Sequence, residues 1–429
     1  MSILRTMYTG VSGITAEGEA LGVVGDNIAN SNTIGFKSQR ALFEDVLGRS
    51  ITGGFGPGAG VQMSGTQQIF NQGALSNTGV STDVALSGNG FFVVKGSDQG
   101  ITGNFYTRDG QFKIDNSGFL VNARGMQAQG YASLGNGQFA SAVSSLKVPT
   151  SALAPNASTK MNFVANIDSG ATVPVLPWDA QNPTATSNFS SSMTTYDSLG
   201  QSHNVDVYFR KTGANTWDYH VLAAGSEVNG GVPGQNSEIG NGTLAFTNTG
   251  ALNTVTTTTP IAVSFNNAKP NQAVALNFGT SIASGGTGTD GMTQYAATSN
   301  ISSQSQDGYS SGDLSGVSVD GNGVLSGIYT NGQKIAVGAL GVAKFQANEG
   351  LGRAGQNLWI ATTESGDAAL GTAGAGGRGT VSAGSLELSN VDLADQFVQL
   401  IAHQRAFQAN SKTITTADEM LQELVNLKR

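Results

Sequence analysis

Residues 1–28 read MSILRTMYTGVSGITAEGEALGVVGDNI, and the spacing of their apolar side chains decides how the chain begins. Eight positions recur at alternating intervals of three and four residues, which is the spacing of the contact face of a coiled-coil helix. These positions are Leu4, Met7, Val11, Ile14, Gly18, Leu21, Gly25 and Ile28. The stretch therefore predicts an amphipathic helix whose apolar face requires a partner helix.

Five glycines occur within this helical pattern, at Gly10, Gly13, Gly18, Gly22 and Gly25. Each of them lowers helix stability by about 1 kcal/mol relative to alanine. Together they roughly cancel the stabilisation that one isolated amphipathic helix could gain. We therefore expect this helix to be weak or unformed in the free chain and to become ordered during assembly. An intramolecular pair of helices that closes a domain is the alternative interpretation.

A second helical pattern occupies the other end of the chain. It begins near Ser389, where Asp392 follows three residues later as in a capping box, and it continues toward Leu427. Its apolar residues form an early, irregular stripe and a later, regular one, namely Phe397, Leu400, Ile401 and Phe407, then Ile414, Ala417, Leu421 and Leu424. A helix of about 35 to 40 residues is some 55 Å long, which exceeds the reach of a typical globular packing partner.

The sequence between the two helical ends is typical of β structure. Short aromatic and β-branched runs alternate with turn signals such as Asp109-Gly110, Asp320-Gly321 and Asn331-Gly332. The predicted strands lie at 91–94, 105–107, 112–114, 119–121, 205–209, 217–221, 244–246, 261–265 and 274–278, with a late hairpin around Val317, Val319, Val324 and Ile328. Boundaries are marked by glycine-, serine-, threonine- and proline-rich stretches at 50–60, 150–156, 285–291 and 371–379.

This order of elements predicts nesting, with each new domain inserted into the previous one. The predicted fold class is α+β and predominantly β, with the N- and C-terminal helical segments pairing as a coiled coil. The predicted domains are a helical domain at 1–31 and 388–429, a linker region at 32–79 and 366–387, an inner β domain at 80–148 and 292–365, and an outer inserted β domain at 149–291.

Composition excludes several classes of function. Of the 429 residues, 60 are glycine and 12% are charged, and the net charge is −8. The scarcity of cations argues against a nucleic-acid partner, since such a partner requires a clustered basic face. The absence of cysteine excludes disulfides, thiolate zinc sites and cysteine nucleophiles. Because no long apolar run occurs, we expect neither a cleavable signal peptide nor a membrane-spanning helix.

Catalytic and metal-binding interpretations find little support in the sequence. Asp197, Ser202 and His203 could form a hydrolase triad only if adjacent residues of a strand pointed to the same face, which they do not. His403 lies in the C-terminal helix, where a packed or solvated histidine is commoner than a ligand. The glycine-rich string at 285–291 fits one calcium-binding nonapeptide or a GxGxxG pattern, without the repeats or the helix that these need. We therefore predict no catalytic residue, no metal site and no cofactor.

Two terminal motifs are specific enough to suggest a family. The first is Ala29-Asn30-Ser31-Asn32-Thr33-Ile34-Gly35-Phe36-Lys37, and the second is Ser389-Asn390-Val391-Asp392-Leu393 followed by Gln404-Arg405-Ala406-Phe407-Gln408-Ala409-Asn410. The first strongly resembles the signature ANxxTxGFK of the bacterial flagellar rod and hook proteins, and the second is similar to the terminal helix of that family. Interior segments at 87–92, 106–112, 196–203 and 348–351 extend the likeness, and the length of the chain favours the hook.

The resemblance implies a tubular homopolymer that serves as a flexible, torque-transmitting joint between rod and filament. It implies paired terminal helices as an inner layer around an export channel, with β domains outside them. The implied partners are further copies of the chain, the rod and hook–filament junction proteins, the hook cap and the flagellar type III export apparatus. The implied location is the extracellular flagellum, reached without a cleavable signal peptide. Low charge and abundant glycine in the outer domains suggest contacts that slide in small energetic steps.

The residues predicted to carry assembly lie on the apolar faces of the two helices. They are Leu4, Met7, Val11, Ile14, Leu21, Ile28, Phe397, Ile401, Ile414, Leu421 and Leu424. The residues that match the family motif are Ala29, Asn30, Thr33, Gly35, Phe36 and Lys37. Three alternatives stay open: a distal rod subunit, a secreted β-rich adhesin with an exposed aromatic platform, and a β-rich hydrolase with a close pair of buried carboxylates.

Overall fold

The computed structural model describes residues 3–47, 58–98 and 100–426. Its helices are α1 (Ile3–Ala29), α2 (Pro183–Thr186) and α3 (Leu393–Asn426). The first ten strands are β1 (Gln39–Asp45), β2 (Val61–Gln68), β3 (Leu75–Asn77), β4 (Val84–Ser87), β5 (Phe91–Asp98), β6 (Ile101–Thr107), β7 (Phe112–Ile114), β8 (Leu120–Asn122), β9 (Gln127–Gly135) and β10 (Gln138–Ser145).

The central part of the chain contributes the next nine strands. They are β11 (Lys160–Asn166), β12 (Phe189–Tyr196), β13 (Ser202–Lys211), β14 (Thr216–Ala224), β15 (Asn236–Phe246), β16 (Leu252–Thr259), β17 (Ile261–Val263), β18 (Gln272–Asn277) and β19 (Asn300–Gln306). The remaining strands are β20 (Leu314–Val319), β21 (Val324–Tyr329), β22 (Lys334–Lys344), β23 (Gly352–Gly355), β24 (Leu358–Ile360), β25 (Ala369–Thr372), β26 (Thr380–Ala383) and β27 (Ser385–Glu387). The predicted fold class is confirmed, because strands dominate and the terminal helices pack together.

Internal contacts divide the chain into two compact units. The first unit comprises Met1–Thr150, Gly316–Ile328 and Lys334–Arg429, and the second comprises Ser151–Ser315 and Tyr329–Gln333. The second unit extends beyond the predicted outer domain at 149–291 because β19 pairs with β11 in the same sheet. The sequence left β19 unassigned, since its residues are almost entirely polar.

The β structure of the first unit centres on a twelve-stranded sheet. Its main path is β20-β21-β22-β9-β5-β6-β24-β23, with β7, β8, β10 and β25 joined to it off the path. Aromatic side chains fill the adjacent core, where the rings of Tyr106 and Phe345 meet edge to face at 4.7 Å and Phe91 packs beside Trp359 at 5.5 Å. The sheet joins the hairpins predicted early and late in the chain, because β5 from the early set pairs with β22 from the late set.

A separate two-stranded ribbon, β1 with β2, replaces part of the predicted linker at 32–79. Most of its side chains are at least partly exposed, so it lacks the apolar alternation that identifies a strand in a sequence. The hydroxyl of Ser12 on α1 accepts a hydrogen bond from the backbone N–H of Val61 at 3.3 Å. The predicted linker at 366–387 likewise contains β25, β26 and β27. The predicted boundary stretch at 50–60 falls largely outside the described residues.

The second unit is built from two sheets that share one core. The first is the antiparallel sheet β12-β13-β14-β15-β16, and the second is β17-β18-β11-β19. Within the second sheet β11 runs parallel to β18 and antiparallel to β19. Fully buried side chains from both sheets, including Phe163, Val207 and Trp217, meet in the core. The predicted alternation at 205–209 and 217–221 is confirmed in β13 and β14.

The C-terminal helix begins four residues later than its predicted start. Oδ1 of Asp392 accepts hydrogen bonds from the backbone N–H groups of Ala394 and Asp395 at 2.9 and 3.3 Å, which makes Asp392 the N-cap. The capping box predicted from Ser389 and Asp392 is therefore corrected, because Ser389 lies ahead of the helix. No helix in the described part of the chain is both long and apolar enough to cross a membrane.

Candidate assembly surface

The face of α1 that packs within the chain is made mostly of small residues. Its buried positions are Gly10, Gly13, Ala16, Ala20, Val24 and Asn27. A Cβ added at Gly10 would lie 2.8 Å from Cγ1 of Ile414, and one at Gly13 would lie 2.6 Å from Nδ2 of Asn410. These two glycines therefore allow α1 and α3 to approach closely. The other glycines of α1 have open space beside them, namely Gly18, Gly22 and Gly25.

Polar side chains fix the register of the two helices. The buried side chain of Asn27 donates to the carbonyl of Gln39 at 2.7 Å and to Oε1 of Gln396 at 2.9 Å. Its Oδ1 accepts from the backbone N–H of Gln39 at 2.9 Å. Farther along, Nδ1 of His403 lies 2.6 Å from Oε2 of Glu17. Because a shift of either helix would break these hydrogen bonds and leave the buried amide of Asn27 unpaired, the contacts specify how α1, β1 and α3 align.

The apolar seam predicted for α1 is offset from the small-residue face. Leu4 and Val11 are 58% and 50% exposed. Four further seam residues are half-buried, namely Met7, Ile14, Leu21 and Ile28. The helix predicted from this spacing is confirmed, whereas the contact within the chain uses the neighbouring, small-residue face. The larger side chains are left available to a partner.

The predicted residues of α3 separate in the same way. Phe397 and Ile401 are 51% and 56% exposed, whereas Ile414 and Leu421 are half-buried and Ile414 lies against Gly10. The side chain of Leu424 lies outside the described residues. Among the described side chains of the two helices, ten large apolar ones are exposed. Five of these belong neither to the predicted assembly residues nor to the predicted apolar stripes: Tyr8, Leu393, Val398, Met420 and Val425. Tyr8 follows Leu4 by four residues and precedes Val11 by three, so helical spacing could have found it.

The motif at 29–37 ends α1 and turns the chain toward the β structure. Asn30 donates from its side chain to the carbonyl of Asp26 at 2.9 Å, and its Oδ1 accepts from the hydroxyl of Thr33 at 3.1 Å. Ala29 is the last helical residue. Gly35 has a φ of +69°, and a Cβ there would lie 2.7 Å from the backbone carbon of Arg108. The turn therefore requires glycine for its backbone angle and for the space.

The last two motif residues anchor this turn in the core of the first unit. Phe36 is buried, and the ammonium group of Lys37 lies 2.6 Å from Oε1 of Glu387 and donates to the carbonyl of Asn71 at 2.8 Å. On the other side of the same carboxylate, the guanidinium of Arg108 lies 3.1 Å from Oε2. Lys37, Glu387 and Arg108 thus form a buried ion cluster that joins three segments distant in sequence.

The ion cluster is almost fully removed from solvent. The side chains of Lys37 and Glu387 are 0% exposed and that of Arg108 is 4% exposed. Burial lowers the pKa of Lys37 and of Arg108, and the carboxylate of Glu387 opposes that effect for both. The carboxylate also accepts from the backbone N–H of Gly73 at 2.9 Å. Attraction between the opposite charges offsets the free energy of removing each group from water, which would be prohibitive for any of the three groups alone.

Asn390 of the second terminal motif joins the same region. Its Oδ1 accepts from the backbone N–H of Ser38 at 2.7 Å, and its amide donates to the carbonyls of Ile69 and Asn71 at 2.8 and 3.2 Å. The two terminal motifs, which are about 350 residues apart in sequence, therefore meet at the base of the paired helices. Both motifs can be recognised in the sequence, but the contact between them cannot.

Ser202 and His203, which the sequence places side by side, point to opposite faces of β13. His203 is buried in β13, with Nδ1 2.8 Å from Oε2 of Glu227 and Nε2 3.3 Å from Oδ2 of Asp197, and its ring stacks on Phe265. Ser202 faces solvent on the other side of the strand, as the alternation of strand side chains predicts. No group of three potential metal ligands occurs among the described residues.

Four family models match successive parts of the chain. They are described as flagellar basal body rod protein at 7–37, flagellar hook protein FlgE/F/G D1 domain at 85–162, flagellar basal body protein FlaE D2 domain at 166–309, and flagellar basal body rod FlgEFG protein C-terminal at 382–427. Paired terminal helices with β structure inserted between them, in this order of matches, define an axial protein of the bacterial flagellum.

Full-length relatives make the assignment more specific. The flagellar hook protein FlgE of Escherichia coli (strain K12) is 37% identical and aligns over 97% of this chain and 98% of its own length. That of Borreliella burgdorferi is 36% identical over 99% of this chain and 100% of its own. The chain belongs to the FlgE family of flagellar hook proteins and is a structural subunit of the hook.

A solved structure agrees with this fold. The crystal structure of Helicobacter pylori flagellar hook protein FlgE2 matches with a TM-score of 0.51 at 15% sequence identity, over 71% of this chain and 98% of that one. At this level of identity the match concerns the fold alone.

Proposed function

We propose that copies of this chain polymerise into the hook tube through the exposed apolar surfaces of α1 and α3. The observation that carries the proposal is that large apolar side chains on both helices stay exposed after the helices have paired. Leu4, Tyr8 and Val11 on α1, and Phe397 and Ile401 on α3, are each at least half exposed. Such a concentration of exposed apolar surface is characteristic of an interaction site.

A comparison of two free energies supports the proposal that polymerisation stabilises α1. Its five glycines cost about 1 kcal/mol each relative to alanine. Full burial of a large apolar side chain contributes about 1.5 to 3 kcal/mol. Burial of the exposed part of Leu4, Tyr8 and Val11 against neighbouring copies therefore offsets a large part of the helix penalty, which a solitary chain retains in full. A weakly formed helix also suits passage through an export channel as an unfolded chain.

We propose further that the chain reaches the extracellular flagellum through the type III export apparatus, without a cleavable signal peptide. Its proposed neighbours are the rod, the hook cap and the hook–filament junction proteins, and its proposed role is mechanical, with no catalytic step. The small charged fraction of the chain, 12%, and its 60 glycines support contacts that slide as the joint bends. Family membership and the composition are what support these statements.

The test is polymerisation of helix-surface variants. Val11→Asp and Ile401→Asp each place a charge in the exposed apolar surface, and we expect each to abolish tube formation by the purified chain. Val11→Leu and Ile401→Leu are matched controls, because they change the same two exposed side chains without introducing a charge. Sedimentation and negative-stain electron microscopy measure the polymer, and circular dichroism checks that the β structure is retained. Normal tubes from both apolar variants would overturn the proposal.

A further inference from the structure

The second unit carries a rigid loop that displays apolar side chains to solvent. The loop runs from 168 to 182, between β11 and α2. Val175 is 98% exposed, Leu176 is 56% exposed and Val173 is 48% exposed. We call these three residues the apolar knob. An almost fully exposed valine flanked by two further exposed aliphatic side chains is not explained by packing within the unit.

The backbone beneath the apolar knob is held by buried or half-buried cations. The ammonium group of Lys211 donates to the carbonyls of Ser169 and Ala171 at 2.6 and 2.9 Å. The guanidinium of Arg210 donates to the carbonyl of Leu176 at 3.1 Å and to that of Pro174 at 3.4 Å. Pro174 and Pro177 fix their own φ angles within the same stretch.

The far end of the loop is fixed by an aromatic stack. The indole of Trp178 lies parallel to the ring of His220, with centroids 3.9 Å apart, and its Nε1 donates to Oε2 of Glu238 at 3.3 Å. Nδ1 of His220 lies 2.7 Å from the other oxygen of Glu238. The loop is therefore preorganised, and it loses little conformational entropy when a partner binds the knob.

A partly apolar cleft of about 270 Å³ lies elsewhere on the same unit, where β16, β17 and β18 meet. Its buried surface is formed by Tyr219, Ile261 and Val274. Thr257 and Ala275 are among the exposed residues at its rim. The cleft is large enough for small aliphatic side chains, and no charged residue lines it. The aliphatic residues of its lining, Ile261, Val274 and Leu276, suit the aliphatic side chains of the apolar knob.

We propose that the apolar knob of one copy inserts into this cleft of a neighbouring copy in the polymer. The inference rests on the proposed function, because it supplies a second contact between the subunits that the helices bring together. Knob and cleft are different surfaces of one chain, so their contact is heterologous. A heterologous contact that does not close on itself propagates as a helix, which is the symmetry that a tube requires.

Crosslinking in the assembled polymer tests this contact. The chain has no cysteine, so Val175→Cys combined with Thr257→Cys introduces the only two thiols. Both side chains are exposed, and the substitutions leave the core intact. Assembled polymer is sedimented and treated with a short bismaleimide, and denaturing gels are then run. We expect a ladder of covalent dimers and higher multimers from the polymer, and single chains from a dilute monomer sample.

A control pair and a charge variant complete the test. Val175→Cys with Leu199→Cys places the second thiol at another exposed aliphatic site of the same unit, and we expect no ladder from it. Val175→Asp should raise the critical concentration for polymerisation about tenfold, whereas Leu199→Asp should leave it unchanged. Polymer that forms normally but gives no ladder with the Val175/Thr257 pair would overturn the knob contact alone. Failure of the unmodified chain to polymerise would instead overturn the proposed function.

Discussion

Removal of the carboxylate at Glu387 tests whether the buried ion cluster holds the first unit together. The substitution Glu387→Gln keeps the size and one acceptor oxygen of the side chain but removes its charge. Lys37 and Arg108 would then face each other as buried cations with no compensating anion, at sites where both side chains are at most 4% exposed. Breaking a buried ion pair by removing one partner costs about 3 to 5 kcal/mol.

Peptide-resolved hydrogen exchange of the monomer is the appropriate assay, because a chain with two units has no single free energy of unfolding. A loss of about 3 to 5 kcal/mol corresponds to exchange that is on the order of 10² to 5 × 10³ times faster for protected amides of the first unit. We expect this acceleration in peptides that contain β4, β5 and β27. Peptides from β13 and β14 of the second unit should keep their protection.

Two further variants sharpen the comparison. Glu364→Gln is a matched control, because Glu364 is an exposed carboxylate of the same unit, and its exchange pattern should equal that of the unmodified chain. Lys37→Met should accelerate exchange in the first unit less than Glu387→Gln does, because it leaves Arg108 and Glu387 as a pair of opposite charges. Equal protection of the first unit in Glu387→Gln and Glu364→Gln would refute the reasoning, and so would a larger effect of Lys37→Met.

Four other variants probe three separate features of the fold. Gly18→Ala should raise the helicity of the free chain in circular dichroism by stabilising α1 by about 1 kcal/mol, whereas Gly10→Ala should not, because its Cβ would lie 2.8 Å from Ile414. Asp392→Ala should destabilise the start of α3 by about 1 kcal/mol, measured as faster exchange of its first amides. The pKa of Asp307 is lowered below its ordinary value of 3.8, because hydrogen bonds from the hydroxyl and backbone N–H of Thr159 and the backbone N–H of Lys160 outweigh the effect of burial. The ionised carboxylate of Asp307 therefore stabilises the second unit above about pH 4, and this stabilisation is lost as the pH falls through the lowered pKa. The melting temperature of Asp307→Asn should consequently depend less on pH in that range than that of the unmodified chain.

Local spacing in the sequence predicted the elements whose residues signal their own structure. The 3–4 repeat identified α1 to within a residue or two of its ends. The turn at Asp320-Gly321-Asn322-Gly323 was predicted because such residues form turns, and in the structure Oδ1 of Asp320 accepts from the backbone N–H groups of Asn322 and Val324 at 2.9 and 2.8 Å. These features depend on neighbours within a few residues, which a sequence pattern contains.

Elements that are stabilised by partners distant in the chain could not be predicted from the sequence. The ribbon of β1 and β2 has little apolar alternation and depends on contacts with α1. The strands at 369–372, 380–383 and 385–387 are three or four residues long and lie in a stretch rich in glycine. Ser202 and His203 point to opposite faces of β13 as strand alternation predicts, whereas the contact between His203 and Asp197 within the second unit has no signal in the sequence.

The sequence by itself determined that both ends of the chain are amphipathic helices and that the middle is β, because periodicity and turn chemistry are local properties. Tertiary structure alone decided which face of α1 packs inward. Small residues at Gly10 and Gly13 admit α3 closely, and this leaves the larger side chains of the seam exposed. Tertiary structure also determined that Lys37 is buried. A buried ammonium group is stable only beside an opposite charge, and the fold brings Oε1 of Glu387, 350 residues away in the chain, to 2.6 Å from its nitrogen.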